Sequence, residues 1–134
     1  QNDLAEVTPD AVVVNLGIND DLQRGTCTTW GYACYTQQIE WLLAQFPAGM
    51  PVYWTNLACG LIDPASPTFG PCNYENAQLQ NVQGISNRLT VLDWNAVATP
   101  HPEWLATPGG VHFTADGYTA WAGLVSNALD QRFP

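Results

Sequence analysis

A three-layer α/β/α sandwich around a parallel sheet is the fold class this sequence predicts, and three observations point to it. Three short apolar stretches, rich in β-branched residues, read as strands buried on both faces. Each is followed by a segment with helical periodicity. The resulting order of strand, helix, strand, helix, strand, helix, joined by right-handed crossovers, lays the strands parallel with helices on both sides. In such sheets the working residues gather at the carboxyl ends of the strands.

The first strand is Ala11 to Leu16, entered after Pro9 and Asp10. A helix over Tyr35 to Phe46 follows, with Ile39, Leu42, Leu43 and Phe46 at i, i+3, i+4 and i+7, and Pro47 and Gly49 ending it. Pro51 to Leu57 is the second strand. A Pro- and Gly-rich excursion then leads to a helix capped by Asn73, with Glu75 in its first turn and Leu79, Val82 and Ile85 as its apolar stripe. Leu89 to Asp93 is the third strand. Trp94 to Val111 reads as loop, interrupted by Pro100, Pro102 and Pro108. Thr114 caps the last helix, whose buried face is Trp121, Leu124, Val125, Ala128 and Leu129.

The 134 residues suffice for one domain, residues 1–134, and are too few for two cores of ordinary size. Hydrophobic residues make up 46 % and charged residues 11 %, a globular composition. The net charge is −9, lysine is absent, and the cations are Arg24, Arg88 and Arg132. Such a surface repels phosphate backbones and anionic lipid, which argues against nucleic-acid binding and against electrostatic docking to a membrane. A neutral substrate meets no such repulsion. No apolar run approaches the roughly 20 residues that cross a bilayer. The chain opens on Gln-Asn-Asp, and any targeting segment is expected to have been removed or to lie upstream.

Four cysteines form two local pairs, Cys27 with Cys34 and Cys59 with Cys72. Three pairings are open to four cysteines; the short loops favour these two. Neither pair has a neighbouring histidine or a zinc-knuckle spacing. Disulfides imply an oxidising compartment, so the expected location is secreted, periplasmic or cell-envelope. Four reduced, buried thiols are the alternative.

Two local patterns carry chemistry. Gly17-Ile18-Asn19-Asp20 directly follows the first strand. Gly17 supports a sharp turn, and the Asn19 amide is placed to donate to a developing oxyanion; ordinary turn formation explains the same residues. Gly109-Gly110-Val111-His112-Phe113-Thr114 precedes the last helix. His112 there suits a general base, and a packing or capping histidine is the plainer reading. His101, between two prolines, reads as structural or surface.

Taken jointly, Val12-Val13-Val14-Asn15-Leu16-Gly17-Ile18-Asn19-Asp20 and Gly110-Val111-His112-Phe113-Thr114, continuing into Gly117, resemble the SGNH/GDSL hydrolase family from Pro9 to about Leu129. Leu92-Asp93-Trp94 and Pro102-Glu103-Trp104 further resemble SGNH domains appended to membrane O-acyltransferases. The resemblance implies a flavodoxin-like SGNH fold lacking its first strands, the chain being the C-terminal two-thirds of it. It makes Asn19 the oxyanion donor and His112 the base that activates a serine, whose hydroxyl is almost wholly protonated at neutral pH.

Two departures stand out. The family's Gly-Asp-Ser block has no counterpart in the 16 residues upstream of Gly17, and Ser66, Ser86 and Ser126 are the only serines. Ser66 lies in an excursion and the other two on helices. The family's usual aspartate three residues before the histidine is Gly109, and loss of an orienting carboxylate lowers activity by orders of magnitude where tested. Because the family's serine-bearing strand lies beside the first strand, Ala11 to Leu16 becomes an apolar edge that invites pairing. It is expected to be covered by an upstream segment, by a second copy, or by Gln1 to Glu6.

The expected function is therefore ester hydrolysis or O-acyl transfer on carbohydrate or small esters in the cell envelope, or else a catalytically silent glycan-binding or assembly module on the same scaffold. Trp30 and Trp104 are the candidate substrate-binding aromatics, with Tyr32 and Trp94 as neighbours in the same wall. Neither a cofactor nor a metal is implied, since there is no phosphate-cradling glycine loop and no ligand cluster.

Overall fold

The computed structural model describes residues 9–18, 33–62, 72–108 and 110–134. Within them the chain runs β1 (Val12–Val14), α1 (Ala33–Ala44), β2 (Val52–Thr55), a 3-10 turn (Cys59–Leu61), α2 (Asn73–Ile85), β3 (Leu89–Leu92), a short helix α3 (Trp94–Ala98), a second 3-10 turn (Pro102–Trp104) and α4 (Ala115–Arg132). The strands form one parallel sheet in the order β1-β2-β3. It is an α/β fold with helices flanking a parallel sheet, the architecture expected from the element order.

Register decides which side chains meet. Val12, Val52 and Leu89 lie side by side, as do Val14, Trp54 and Val91. The period of two places all six on one face, where they pack with Tyr35, Ile39 and Leu43 of α1 and Leu79 and Val82 of α2. Ile39, Val52 and Leu79 are wholly buried, each contributing about 1.5–3 kcal/mol by leaving water. Thr36 Oγ1 donates to Gln78 Oε1 at 2.7 Å and ties the two helices together.

Arg88 closes the end of α1 from outside the helix. The last turn of α1 holds no basic residue, and Leu43 O there has one local donor, Phe46 N at 3.2 Å, leaving a lone pair free. The Arg88 guanidinium donates to Leu43 O at 2.6 Å and Pro47 O at 3.1 Å. One of the chain's three cations is thereby spent on structure.

Several local expectations are corrected. β1 is shorter than Ala11 to Leu16, and Val13 (37 %) and Leu16 (56 %) are exposed rather than covered. β1 is an edge of the sheet among the described residues. The N-cap of α2 is Cys72, not Asn73, and makes no side-chain cap hydrogen bond. Ile85 stands 78 % exposed at the end of that helix, where nothing packs over it. The segment after Trp94 is not all loop: Asp93 accepts from Ala96 N at 3.1 Å and nucleates α3, while Pro102 opens the second 3-10 turn instead of preventing one. Thr114 does cap α4, accepting from Gly117 N at 3.3 Å. The apolar stripe of α4 is only half-buried, Gly117 alone being fully so; among the described elements α4 packs chiefly on β3, α3 and the second 3-10 turn.

Candidate functional site at the carboxyl rim of the sheet

Each strand delivers a rigid exit to the same rim. At the end of β1, Gly17 adopts φ +131°, a region open to glycine and strained for other residues. A side chain there would collide with the Tyr35 hydroxyl and touch Leu57. Trp54 Nε1 donates to Leu16 O at 3.0 Å and Thr55 Oγ1 to Asn15 Oδ1 at 3.1 Å, so β2 side chains hold the β1 exit.

The exit of β2 is held from α2. Asn76 accepts from Leu57 N and donates to Leu57 O, both at 2.8 Å, satisfying a backbone pair that has left the sheet. Its amide also lies 3.1 Å from Cys59 Sγ. Cys59 is disulfide-bonded to Cys72, with Cα atoms 5.6 Å apart, as the spacing predicts. Cys27 lies outside the described residues, so the Cys27–Cys34 pair does too.

At the exit of β3, Asn56 Nδ2 donates to Asp93 Oδ1 at 2.9 Å, and Asn56 Oδ1 accepts from Asn95 N at 2.7 Å. Asn95 Oδ1 accepts from Gly60 N at 2.8 Å. This chain of amides joins the ends of β2 and β3 to the disulfide-closed turn. Asp93 is therefore engaged in capping α3.

Beyond α3 the rim is aromatic. Trp94, 3 % exposed, stacks parallel on Trp104 with centroids 5.9 Å apart, and meets Phe113 edge-on at 5.2 Å. Phe113 meets Tyr118 edge-on. His101 also stacks on Trp104, at 4.0 Å and 12°. His101 Nδ1 pairs with Glu103 Oε1 at 2.8 Å. This hydrogen bond, and secondarily a backbone one, holds the Glu103 carboxyl below the usual carboxylate range.

His112 sits on the strand-like return of the same loop. Leu105 and Phe113 bridge antiparallel, Ala106 N donates to His112 O at 2.9 Å, and Thr114 N to Trp104 O at 2.7 Å. Its side chain is exposed and its ring makes no hydrogen bond among the described residues. Gly17 thus follows β1, and His112 lies on the loop paired with Trp104 and Ala106 after β3. Asn19, Trp30, Tyr32 and Gly109 lie outside the described residues. The pairing that sequence reasoning missed is His101 with Glu103; the signal was its i, i+2 spacing across Pro102, ahead of a tryptophan.

The model of the GDSL-like lipase/acylhydrolase family matches residues 1–120. The chain belongs to that family. No curated protein and no solved structure gives a match. In this GDSL-like chain the described serines lie away from His112's loop: Ser86 ends α2 on the way into β3, and Ser126 is exposed midway along α4. Among the described residues no group of three or more His, Cys, Asp and Glu could hold a metal ion, and no helix is long and apolar enough to cross a membrane.

Proposed function

We propose that this chain is a binding module on the GDSL-like scaffold, recognising carbohydrate at the carboxyl rim without turning it over. The observation that carries this reading is the aromatic stack there, anchored on buried Trp94 and continued outward by Trp104 and His101. Aromatic planes take the apolar faces of sugar rings, and fixed polar groups beside them orient the hydroxyls. The sequence supports silence in two ways: no serine follows a strand end, and Gly109 stands where the family usually has its orienting aspartate. Titrating the protein with envelope glycans while following tryptophan fluorescence tests the reading. A saturable change is expected; a flat response to all of them sinks it. The Cys59–Cys72 disulfide supports an extracytoplasmic setting.

A second reading is favoured by the edge of β1, where Val13 and Leu16 are exposed. In it a partner segment or second copy pairs with that edge, and a serine-bearing strand completes an esterase or O-acyltransferase of the kind appended to membrane O-acyltransferases. The serine Oγ would attack an ester carbonyl as His112 takes its proton and then passes it to the departing alcohol. Asn19 would donate to the oxyanion, Gly17 would support the turn, and water or a sugar hydroxyl would then take the acyl group. A fluorophosphonate probe on the native protein should label a serine under this reading. Absence of labelling removes it, and a clean monomer in size-exclusion chromatography removes the second-copy form.

A further inference from the structure

We infer that the ring that touches the ligand is His101, with Glu103 beside it as the hydroxyl acceptor, and that the ligand is a neutral oligosaccharide; this rests on the carbohydrate-binding reading above. Trp104 is the obvious platform from the sequence, but two rings stack against it and leave it only partly exposed. Trp94 stacks on it with centroids 5.9 Å apart, and His101 at 4.0 Å and 12°. Within this cluster Trp94 is buried, and the imidazole is the ring left open to a ligand. His101's side chain remains 42 % exposed although its inner face is against Trp104, so the open surface is its outer face and edge.

The ring is held in place before any ligand arrives. His101 Nδ1 pairs with Glu103 Oε1, and the backbone closes around the turn through His101 N to Ala98 O at 2.8 Å and Trp104 N to His101 O at 3.0 Å. Ala98 is fully buried and Pro100 and Pro102 restrict the chain on either side. A preformed plane loses little entropy on binding. Glu103, 63 % exposed and with Oε2 unused by His101, offers an ionised acceptor in the same turn. Two short-range features then match a sugar: a flat face for ring C–H groups and a carboxylate for a hydroxyl pair.

Charge selects the class. Of the described cations, Arg88 is committed to α1 carbonyls and Arg132 lies in the last turn of α4, far along that helix from its start at the rim. With a net charge of −9 and Glu103 at the contact, glycans bearing uronate or sulfate are repelled.

The test is an NMR titration of the whole chain with chitotetraose, cellotetraose and a sulfated oligosaccharide, following the His101 ring protons and the tryptophan indoles. A neutral tetrasaccharide should shift the His101 ring, and the sulfated one should bind more weakly. Loss of one aromatic contact corresponds to about tenfold in Kd. His101→Ala should weaken binding by about that factor, His101→Phe should restore most of it, and Glu103→Gln should weaken it severalfold. Ile85→Ser, at the opposite end of the sheet, serves as the unaffected control. Sugar binding that leaves His101 unshifted and His101→Ala unimpaired overturns this inference while the carbohydrate reading stands. No response anywhere to either neutral sugar overturns both.

Discussion

The Tyr35 hydroxyl occupies the space that a side chain at position 17 would need. Tyr35 is 4 % exposed and belongs to the core under β1, so it has little room to yield. The turn that leaves β1 toward the candidate site is thus shaped jointly by a backbone angle that favours glycine and by a phenol supplied from α1.

Gly17→Ala should accordingly destabilise the fold by about 2–4 kcal/mol, combining the positive-φ penalty with overpacking. Urea denaturation would show the midpoint falling. A change below about 0.5 kcal/mol would mean the turn relaxes freely, contrary to this geometry.

Asn76→Ala should cost about 1–3 kcal/mol, since it leaves Leu57 N–H without its acceptor near the core, while Leu57 O keeps its bond from Cys59 N at 2.8 Å. Asn76→Asp keeps the acceptor for Leu57 N, and Leu57 O keeps its Cys59 donor, so it should recover most of that loss. No recovery in the aspartate variant, read by thermal unfolding at neutral pH, would show that the acceptor for Leu57 N is not what Asn76 contributes.

The Cys59–Cys72 disulfide closes a segment with a sequence separation of 13, and both sulfur-bearing residues are buried, at 8 % and 1 % exposed. Replacing both by serine should lower stability by about 2–4 kcal/mol. In the native protein the bond should resist mild reductant that reduces it after unfolding. Mass spectrometry after alkylation distinguishes the two; rapid alkylation of both sulfurs under native conditions would contradict their burial.

The Glu103 carboxyl is held below the ordinary carboxylate range, chiefly by its hydrogen bond with His101. A folded-state value lower than the unfolded one means the pairing contributes at neutral pH and disappears as pH falls through the folded value. Carbon-detected NMR should show the depressed titration, and His101→Ala should move it upward toward an unperturbed glutamate. An unchanged Glu103 in that variant would show that His101 is not the cause.

Much of this was readable because it depends on local pattern. The continuous apolar run at Val12–Val14, the i, i+3, i+4 stripe of α1 with Ile39 and Leu43, and Thr114 ahead of an amphipathic segment each follow from periodicity and capping, which act over a few residues. The family likewise shows in linear motifs at the ends of those elements. The short pairing of Cys59 with Cys72 follows from loop closure.

What only the tertiary structure decided lies in contacts between segments distant in the chain. That Arg88 serves the carbonyls of α1, that Asn76 holds Leu57, and that Asp93 is bound by Asn56 cannot be read from neighbours, because each donor finds its acceptor across the fold. The same holds for Trp104: the sequence offers it as a binding aromatic, whereas packing stacks both Trp94 and His101 against it and leaves the histidine side chain open. Periodicity encodes which face of an element is apolar. Side-chain partners are chosen only when the sheet register and helix packing bring those faces together.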